Sequence, residues 1–353
     1  MHVCKYADLR IPRLPVGCGL SGPGVTIVDV FARDGLQTLV HEPELRQPTT
    51  GQKADVVAAL DRAGVPEIEI TGFVHPRVIP SLADAEEVAA LVLARPHRAR
   101  YRALVPNLRG AQRAVDAGVP KIVALIAASP TYQRLNSNMS VEENLAEIES
   151  IAELARGHGV ELALGMAIGF ICPYEGVMPF ERIAAILERA VDLGIREVSL
   201  ADSVGLAWPT LVRERCLQVK ERWPDLELGL HLHTLAGLAL ANAWAAYGAD
   251  VTRFEGAVGG IGGGIAMPVH TTSMGNVATE DLVYLFESCR VATGIDQAAI
   301  ARLGNETREL IGAGGGHVGA FGTLDAFLQV NRGELERLSA APVGSSRARR
   351  AAP

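Results

Sequence analysis

Short apolar segments that favour strands alternate along the whole chain with longer segments of helical periodicity. Parallel strands need long crossover connections, usually helices, so this alternation predicts an α/β fold with a parallel sheet. Eight strand–helix units are the number that closes a (β/α)8 barrel of the TIM type. The alternative is an open, doubly wound sheet. The predicted strands are 25–30, 67–73, 101–106, 121–128, 161–170, 197–203, 226–234 and 251–258.

Local signals mark where several of the helices begin and end. Ser140 and Glu143 form a capping-box pattern at the start of the helical segment 140–158. Gly64, Gly118, Gly194 and Gly248 each stand at a predicted helix end before the next strand. Glycine is expected there because it readily takes the left-handed conformation that a helix end often needs.

The 353 residues are enough for one barrel with additions at both ends, because such barrels need about 250 residues. We predict an N-terminal extension at 1–24, the barrel at 25–295, a C-terminal helical extension at 296–340 and a disordered tail at 341–353. The tail is rich in Arg, Ala and Ser and cannot bury enough apolar surface to become ordered.

Composition excludes several partners. The formal net charge of -7 provides no basic field for nucleic acid, so we expect no nucleic-acid partner. No apolar run approaches the roughly 20 residues that span a bilayer, and residues 1–24 lack the apolar core of a signal peptide, so we expect no membrane partner. The five cysteines are odd in number and widely spaced, which favours a reducing cytoplasm over a disulfide framework.

Four polar side chains follow three neighbouring strands of the predicted barrel. His231 and His233 lie two apart at the end of the seventh strand, so both point to the same face. Asp34 follows the first strand and Asn276 follows the eighth. Since the carboxyl ends of the strands form one mouth, these four side chains are predicted to meet there. Two imidazoles with two hard oxygens predict Mg²⁺ or Mn²⁺, with Zn²⁺ as the alternative.

Three further charged residues are candidates for catalysis. Arg33 precedes Asp34, and its planar guanidinium could stabilise a developing enolate or form a salt bridge at the barrel mouth. Glu69 on the second strand and Asp202 on the sixth are carboxylates inside apolar runs. Burying such groups is costly unless they are paired or coordinate something. We therefore predict that each is either a catalytic acid or base or a residue that organises the site.

Several motifs together resemble the 3-hydroxy-3-methylglutaryl-CoA lyase family of the DRE-TIM metallolyase superfamily. The resemblance extends from about residue 25 to residue 295. The matching segments read RDGLQ at 33–37, VPNL at 105–108, AAS at 127–129, CPYEG at 172–176, SLAD at 199–202 and GNVATEDLVY at 275–284.

This family cleaves a 3-hydroxy-3-methylglutaryl thioester into acetoacetate and acetyl-CoA. The resemblance implies that Asp34, His231, His233 and Asn276 hold the divalent cation. It implies that Arg33 lies beside the thioester carbonyl and stabilises the enolate of the leaving acetyl-CoA. It also implies an acyl-CoA or related hydroxy acid as substrate, and a homodimer.

The chain departs from the family pattern in two places. The family carries a catalytic cysteine in a glycine-rich loop of the form GLGGCPY, whereas residues 259–270 here read GGIGGGIAMPVH. Gly264 or Met267 takes the place of that cysteine, depending on which end of the loop is aligned, and neither can ionise. His270, whose unperturbed pKa is near neutrality, is predicted to replace the thiol, with an exposed loop histidine as the alternative. Thr234 replaces an acidic group after the histidine pair, which indicates an altered substrate or reaction.

The leading prediction is therefore a divalent-metal carbon–carbon lyase that cleaves a 3-hydroxyacyl thioester by retro-Claisen chemistry. One alternative is a condensing or aldolase-type relative that joins acetyl-CoA to a 2-oxo acid. Another is a catalytically silent barrel that binds CoA esters.

Overall fold

Eight parallel strands form a closed barrel in this computed structural model, which describes residues 24–40, 42, 44–264, 275–313 and 316–321. The barrel strands are β1 (Thr26–Asp29), β2 (Glu67–Gly72), β3 (Arg100–Val105), β4 (Lys121–Ala127), β5 (Glu161–Ala167), β8 (Glu197–Asp202), β9 (Glu227–Leu232) and β10 (Arg253–Gly256). A small antiparallel pair, β6 (Ile171–Cys172) and β7 (Gly176–Val177), follows β5.

The predicted barrel is confirmed, because β1 pairs with β10 on one side and with β2 on the other. This closure excludes the open sheet. The helices surround the strands, and within the described ranges each is too short or too polar to cross a membrane. They are α1 (Thr50–Arg62), α2 (Ala85–Leu93), α3 (Leu108–Asp116), α4 (Pro130–Ser137), α5 (Val141–His158), α6 (Phe180–Asp192), α7 (Pro209–Arg222), α8 (Ala239–Tyr247), α9 (Thr279–Ser288), α10 (Gln297–Ile311) and α11 (His317–Phe321).

Helix α10 belongs to the predicted C-terminal extension and packs against the short helical turn Val258–Gly260 at the barrel mouth. The extension therefore supports a segment close to the candidate site. Residues 322–340, the predicted disordered tail and residues 1–23 of the N-terminal extension lie outside the described residues, so the predicted domain limits remain predictions.

A buried cluster of charges closes the amino-terminal end of the barrel. Glu67, Lys121, Glu197 and Arg253 are each the first residue of a barrel strand. The Lys121 ammonium lies 2.8 Å from a Glu67 oxygen and 2.5 Å from a Glu197 oxygen. Arg253 contacts the same two carboxylates at 2.6 and 3.1 Å. Burial alone would raise the pKa of Glu67, but the cations around it, including Arg102, lower it to about 2.

Replacing Lys121 with Met should therefore destabilise the barrel, because Glu67 and Glu197 would lose a buried cation. Removing one partner of a buried ion pair costs about 3–5 kcal/mol. The free energy of unfolding by urea measures this loss. As a control, R222A removes the partner of Glu188 in a pair whose side chains are each about half exposed, and should change stability by under about 1 kcal/mol. Equal, small effects of both substitutions would contradict the role given to the cluster.

Candidate active site at the barrel mouth

The chain leaves β1 in a five-residue π-helical turn, Phe31–Gly35, which carries Arg33 and Asp34. The Val30 carbonyl accepts a hydrogen bond from the Gly35 N–H at 3.2 Å, which closes the wide turn. All five residues of the turn are buried. Single π-helical turns often occur at functional sites, and this one places a guanidinium beside a carboxylate at the cavity.

The two predicted histidines meet Asp34 at the mouth. The Nε2 atoms of His231 and His233 are 3.0 Å apart, and each lies 3.9 Å from Asp34 Oδ2. One potential ligand atom from each of the three residues lies within 4.8 Å of the others. Burial alone would raise the pKa of Asp34, but the Arg33 charge and the neighbouring imidazoles lower it, so this carboxylate is ionised.

Asn276 joins the same group. It pairs with His233 in an isolated antiparallel bridge, and its Nδ2 donates to Asp34 Oδ2 at 2.7 Å and to the Ile261 carbonyl at 2.8 Å. Its buried Oδ1 has no hydrogen-bond partner among the described residues. Buried polar atoms are nearly always satisfied, so an acceptor oxygen left over beside two imidazoles and a carboxylate fits a hard divalent cation.

Glu255 orients one of the imidazoles. Its Oε2 lies 3.0 Å from His231 Nδ1, which directs His231 Nε2 towards the cluster. The other oxygen, Oε1, accepts hydrogen bonds from Arg102 at 2.7 Å and from the Ser199 hydroxyl at 2.6 Å. Burial alone would raise the pKa of Glu255, but Arg102 and His231 lower it well below its ordinary value. An ionised carboxylate behind a ligand histidine fixes its tautomer and orientation.

Arg33 is held by carboxylates on two sides. Its Nε donates to Glu69 and its Nη1 donates to Asp34. The second Glu69 oxygen lies 2.9 Å from Arg102 Nε. Glu69 is fully buried and is therefore placed to position Arg33 between the cavity and the barrel interior.

Asp202 lies at the end of β8 and faces the loop that follows it. Its Oδ1 accepts a hydrogen bond from the Gly205 N–H at 3.1 Å, and its Oδ2 accepts from the Ala207 N–H at 3.0 Å. Burial raises its pKa to about 6 against these hydrogen bonds. Asp202 therefore organises the β8–α7 loop, and it is not one of the three residues whose ligand atoms cluster.

A cavity of about 270 Å³ opens beside these residues, and Arg33, Asp34, His231 and His233 line its floor. Within the glycine-rich segment, Gly262 packs against Asp34 and Asn276. At Gly262, where φ is 125°, a Cβ atom would lie only 2.1 Å from Asn276 Nδ2. No side chain fits at this position.

Gln37 fastens the loop to the site, because its amide donates to Asp34 Oδ1 at 2.6 Å and to the Gly263 carbonyl at 2.7 Å. Gly264, one of the two positions aligned with the family cysteine, lines the cavity. Met267 and His270 lie outside the described residues.

Comparison with known families identifies the chain. The HMGL-like family model matches residues 24–306. The chain belongs to the HMGL-like family. HMGL-like lyases depend on a divalent cation, and the Asp34–His231–His233 cluster is a candidate site for it.

The relatives of this HMGL-like chain match it along most of its length. The (R)-citramalyl-CoA lyase of Chloroflexus aurantiacus is 38% identical over 308 residues, covering 82% of this chain and 95% of the relative. The hydroxymethylglutaryl-CoA lyase YngG of Bacillus subtilis is 37% identical over 271 residues, covering 77% and 88%. A solved HMG-CoA lyase from Acinetobacter baumannii, in complex with coenzyme A and 3-methylmalate, superposes with a TM-score of 0.78 at 33% identity, covering 85% of this chain and 95% of that one. The predicted family and the carbon–carbon lyase class are confirmed.

Sequence reasoning missed three residues of this HMGL-like site, namely Glu255, Arg102 and Gln37. The first two are charged residues inside apolar strand segments, which is the signal that did identify Glu69 and Asp202. Gln37 stands in the RDGLQ motif, but a glutamine in a motif gives no indication of which backbone carbonyl it will contact.

The contact between Glu255 and His231 predicts a specific defect in metal binding. Replacing Glu255 with Gln keeps the shape but removes the charge that fixes the imidazole, so Mn²⁺ affinity should fall about 10–100-fold. Calorimetric titration with Mn²⁺ measures the dissociation constant. Glu227→Gln, which alters an exposed carboxylate on the same strand as His231, is the control and should leave the affinity unchanged. Equal affinity in both variants would contradict the orienting role.

Glu280, in the GNVATED motif of the HMGL-like chain, is a buried carboxyl group below the glycine-rich loop. Its Oε2 accepts from the Gly259 N–H at 3.1 Å, and its Oε1 lies against Gly304 and Gly316. Burial raises its pKa to about 8, and the charges of Asp281 and Asp29 add to this shift. At neutral pH the folded protein therefore keeps a proton on Glu280 that the unfolded chain loses.

The stability of the protein should consequently fall as the pH rises from about 4.5 to 8, by about 4 kcal/mol from this one group. Glu280→Gln cannot ionise, so the pH dependence of its unfolding free energy should be flatter between about pH 5 and 8, with the largest difference in slope below pH 7. Urea unfolding at several pH values measures the slope. Glu181→Gln, at an exposed position on α6, should retain the wild-type slope. A Glu280→Gln slope equal to that of the wild type would exclude a protonated Glu280.

Proposed function

We propose that this protein cleaves a 3-hydroxy-3-methylglutaryl-CoA-like hydroxyacyl thioester by retro-Claisen chemistry, releasing acetyl-CoA and an oxo acid. The observation that carries the proposal is the convergence of Asp34, His231 and His233 beside Arg33 on the floor of one cavity. A carbonyl or hydroxyl oxygen in that cavity would meet both a cation site and a fixed guanidinium. Those are the two groups that stabilise an alkoxide and an enolate.

Asp34, His231, His233 and Asn276 would hold the divalent cation, which when bound makes a coordinated substrate hydroxyl more acidic. Oxygen and imidazole donors without any thiolate favour Mg²⁺ or Mn²⁺. Asn276 would contribute its Oδ1, which has no hydrogen-bond partner among the described residues, to this set.

Arg33 would stabilise the thioester oxygen as the C–C bond breaks and negative charge moves onto the leaving enolate. Glu69 and Asp34 hold the guanidinium from two sides, so little reorganisation is needed when the charge develops. This arrangement makes Glu69 a positioning residue for Arg33.

The proton of the substrate hydroxyl must pass to a base. After the C–C bond has broken, the carbon of the acetyl-CoA enolate must receive a proton. Asp202 is engaged by two backbone N–H groups, which favours a positioning role for it as well. His270 remains the predicted proton-transfer group in place of the family cysteine, and its imidazole would suit transfer near neutral pH.

The acyl group of the substrate has two candidates among the relatives. One relative is named for (R)-citramalyl-CoA and another for hydroxymethylglutaryl-CoA. Both substrates carry a tertiary hydroxyl, a carboxylate and a CoA thioester, so the same metal and arginine could act on either. The condensing and catalytically silent alternatives are not better supported, since these relatives are named as lyases. A homodimer and a cytoplasmic location remain predictions.

Release of acetyl-CoA from each of the two thioesters tests the proposal. Chelation should abolish turnover, and Mg²⁺ or Mn²⁺ should restore it. Arg33→Lys, which loses the planar fork, should lower kcat about 100-fold or more. Arg222→Lys, on the outer surface, should match the wild type. Turnover that survives chelation, or acetyl-CoA consumed with a 2-oxo acid and neither thioester cleaved, would contradict the proposal.

A further inference from the structure

Tyr132 brings a phenol group to the lining of the cavity beside the candidate metal site. It lies on α4, which follows β4, and Ser129 caps this helix by accepting a hydrogen bond from the Tyr132 N–H at 3.1 Å. Tyr132 is only 3% exposed, yet it lines the cavity together with Arg33 and His233. The helix cap therefore fixes the backbone at Tyr132.

The phenol hydroxyl is available to a ligand. Among the described residues no hydrogen bond is made to the Tyr132 oxygen. This oxygen is also absent from the fully buried polar atoms that lack a partner, so it keeps some exposure. Burial raises the pKa of Tyr132, and the nearby charge of Asp34 raises it further. The group is therefore a neutral hydrogen-bond donor at the cavity, where it can pair with an acceptor on a ligand.

The cations that line the cavity are already engaged by protein carboxylates. Arg33 is paired with Asp34 and Glu69, and Arg102 is paired with Glu69 and Glu255. An anionic group of a substrate that reaches the α4 wall would therefore meet a neutral donor. A phenol donates a charge-assisted bond to a carboxylate, so Tyr132 fits an anionic acceptor.

The identity of the acceptor that pairs with Tyr132 rests on the proposed function. The acyl chain of either candidate thioester carries three oxygen groups, a tertiary hydroxyl, a thioester carbonyl and a carboxylate. The cation and Arg33 are assigned to the first two. We propose that the Tyr132 hydroxyl donates a hydrogen bond to the third, the acyl carboxylate, and so selects hydroxyacyl thioesters that carry one.

Binding of two matched thioesters to the Mn²⁺-loaded enzyme tests this contact. The probe 3-hydroxyglutaryl-CoA has the carboxylate, and 3-hydroxybutyryl-CoA lacks it. Tyr132→Phe removes only the hydroxyl, so it should weaken 3-hydroxyglutaryl-CoA about 10-fold or more, the usual loss of a hydrogen bond to a charged group. The affinity for 3-hydroxybutyryl-CoA should change by less than about 2-fold.

Tyr101→Phe is the matched control, because Tyr101 is equally buried but stacks on His97 away from the cavity. It should leave both affinities unchanged. Equal weakening of the two thioesters by Tyr132→Phe, or no weakening of either, would overturn the proposal. If this variant fails to fold, as judged by thermal unfolding, Tyr132→Met is measured in the same way.

The lyase assay separates this proposal from the proposed function. A wild-type enzyme that binds 3-hydroxyglutaryl-CoA through Tyr132 but cleaves no thioester would refute the function and leave the contact standing. A wild-type enzyme that cleaves its thioester, with a Tyr132→Phe variant that binds 3-hydroxyglutaryl-CoA just as tightly, would refute the contact and leave the function standing.

Discussion

A single buried arginine connects the interior of the barrel with the chemistry at its mouth. Arg102 on β3 is 1% exposed, and it contacts Glu69 at 2.9 Å and Glu255 at 2.7 Å. Because its guanidinium pairs with both carboxylates, Glu69 is held where it contacts Arg33 and Glu255 where it orients His231. The geometry of the candidate site thus depends on the Arg102 guanidinium, which contacts Glu69 and Glu255 but not the three clustered residues.

The barrel interior contains buried ion pairs where apolar side chains would stabilise the fold as well or better. Buried ion pairs often stabilise a fold no better than apolar residues of the same volume, yet here charged layers extend from the cluster at the strand starts up to the mouth. A chain built for stability alone would fill this space with branched apolar side chains, as most such barrels do. The charged layers are explained by what they hold in place, namely a guanidinium and two imidazoles with few alternative orientations.

Much of this architecture could be predicted from the sequence because it follows from local periodicity. The eight strands and the capping box of α5 are short-range signals, and the spacing of His231 and His233 fixes their common face. Contacts of Glu255, Arg102 and Tyr132 could not be predicted, since they depend on the register of strands distant in sequence and on which face of a two-turn helix turns inward. The prediction of a left-handed conformation at Gly248 was wrong. Gly248 has a right-handed backbone, and Asp250, two residues later, takes the left-handed conformation instead.

The glycine-rich loop departs from the family pattern in sequence, whereas Asp34, His231 and His233 keep their ligand atoms within 4.8 Å of one another. The central claim therefore concerns the cation and not the loop. Anomalous diffraction from a crystal soaked in Mn²⁺ tests that claim most directly. The account predicts one peak within about 2.4 Å of His231 Nε2, His233 Nε2 and an oxygen of Asp34, with Asn276 Oδ1 turned towards it. A peak elsewhere, or a cluster that stays without Mn²⁺ at saturating concentration, would contradict the account.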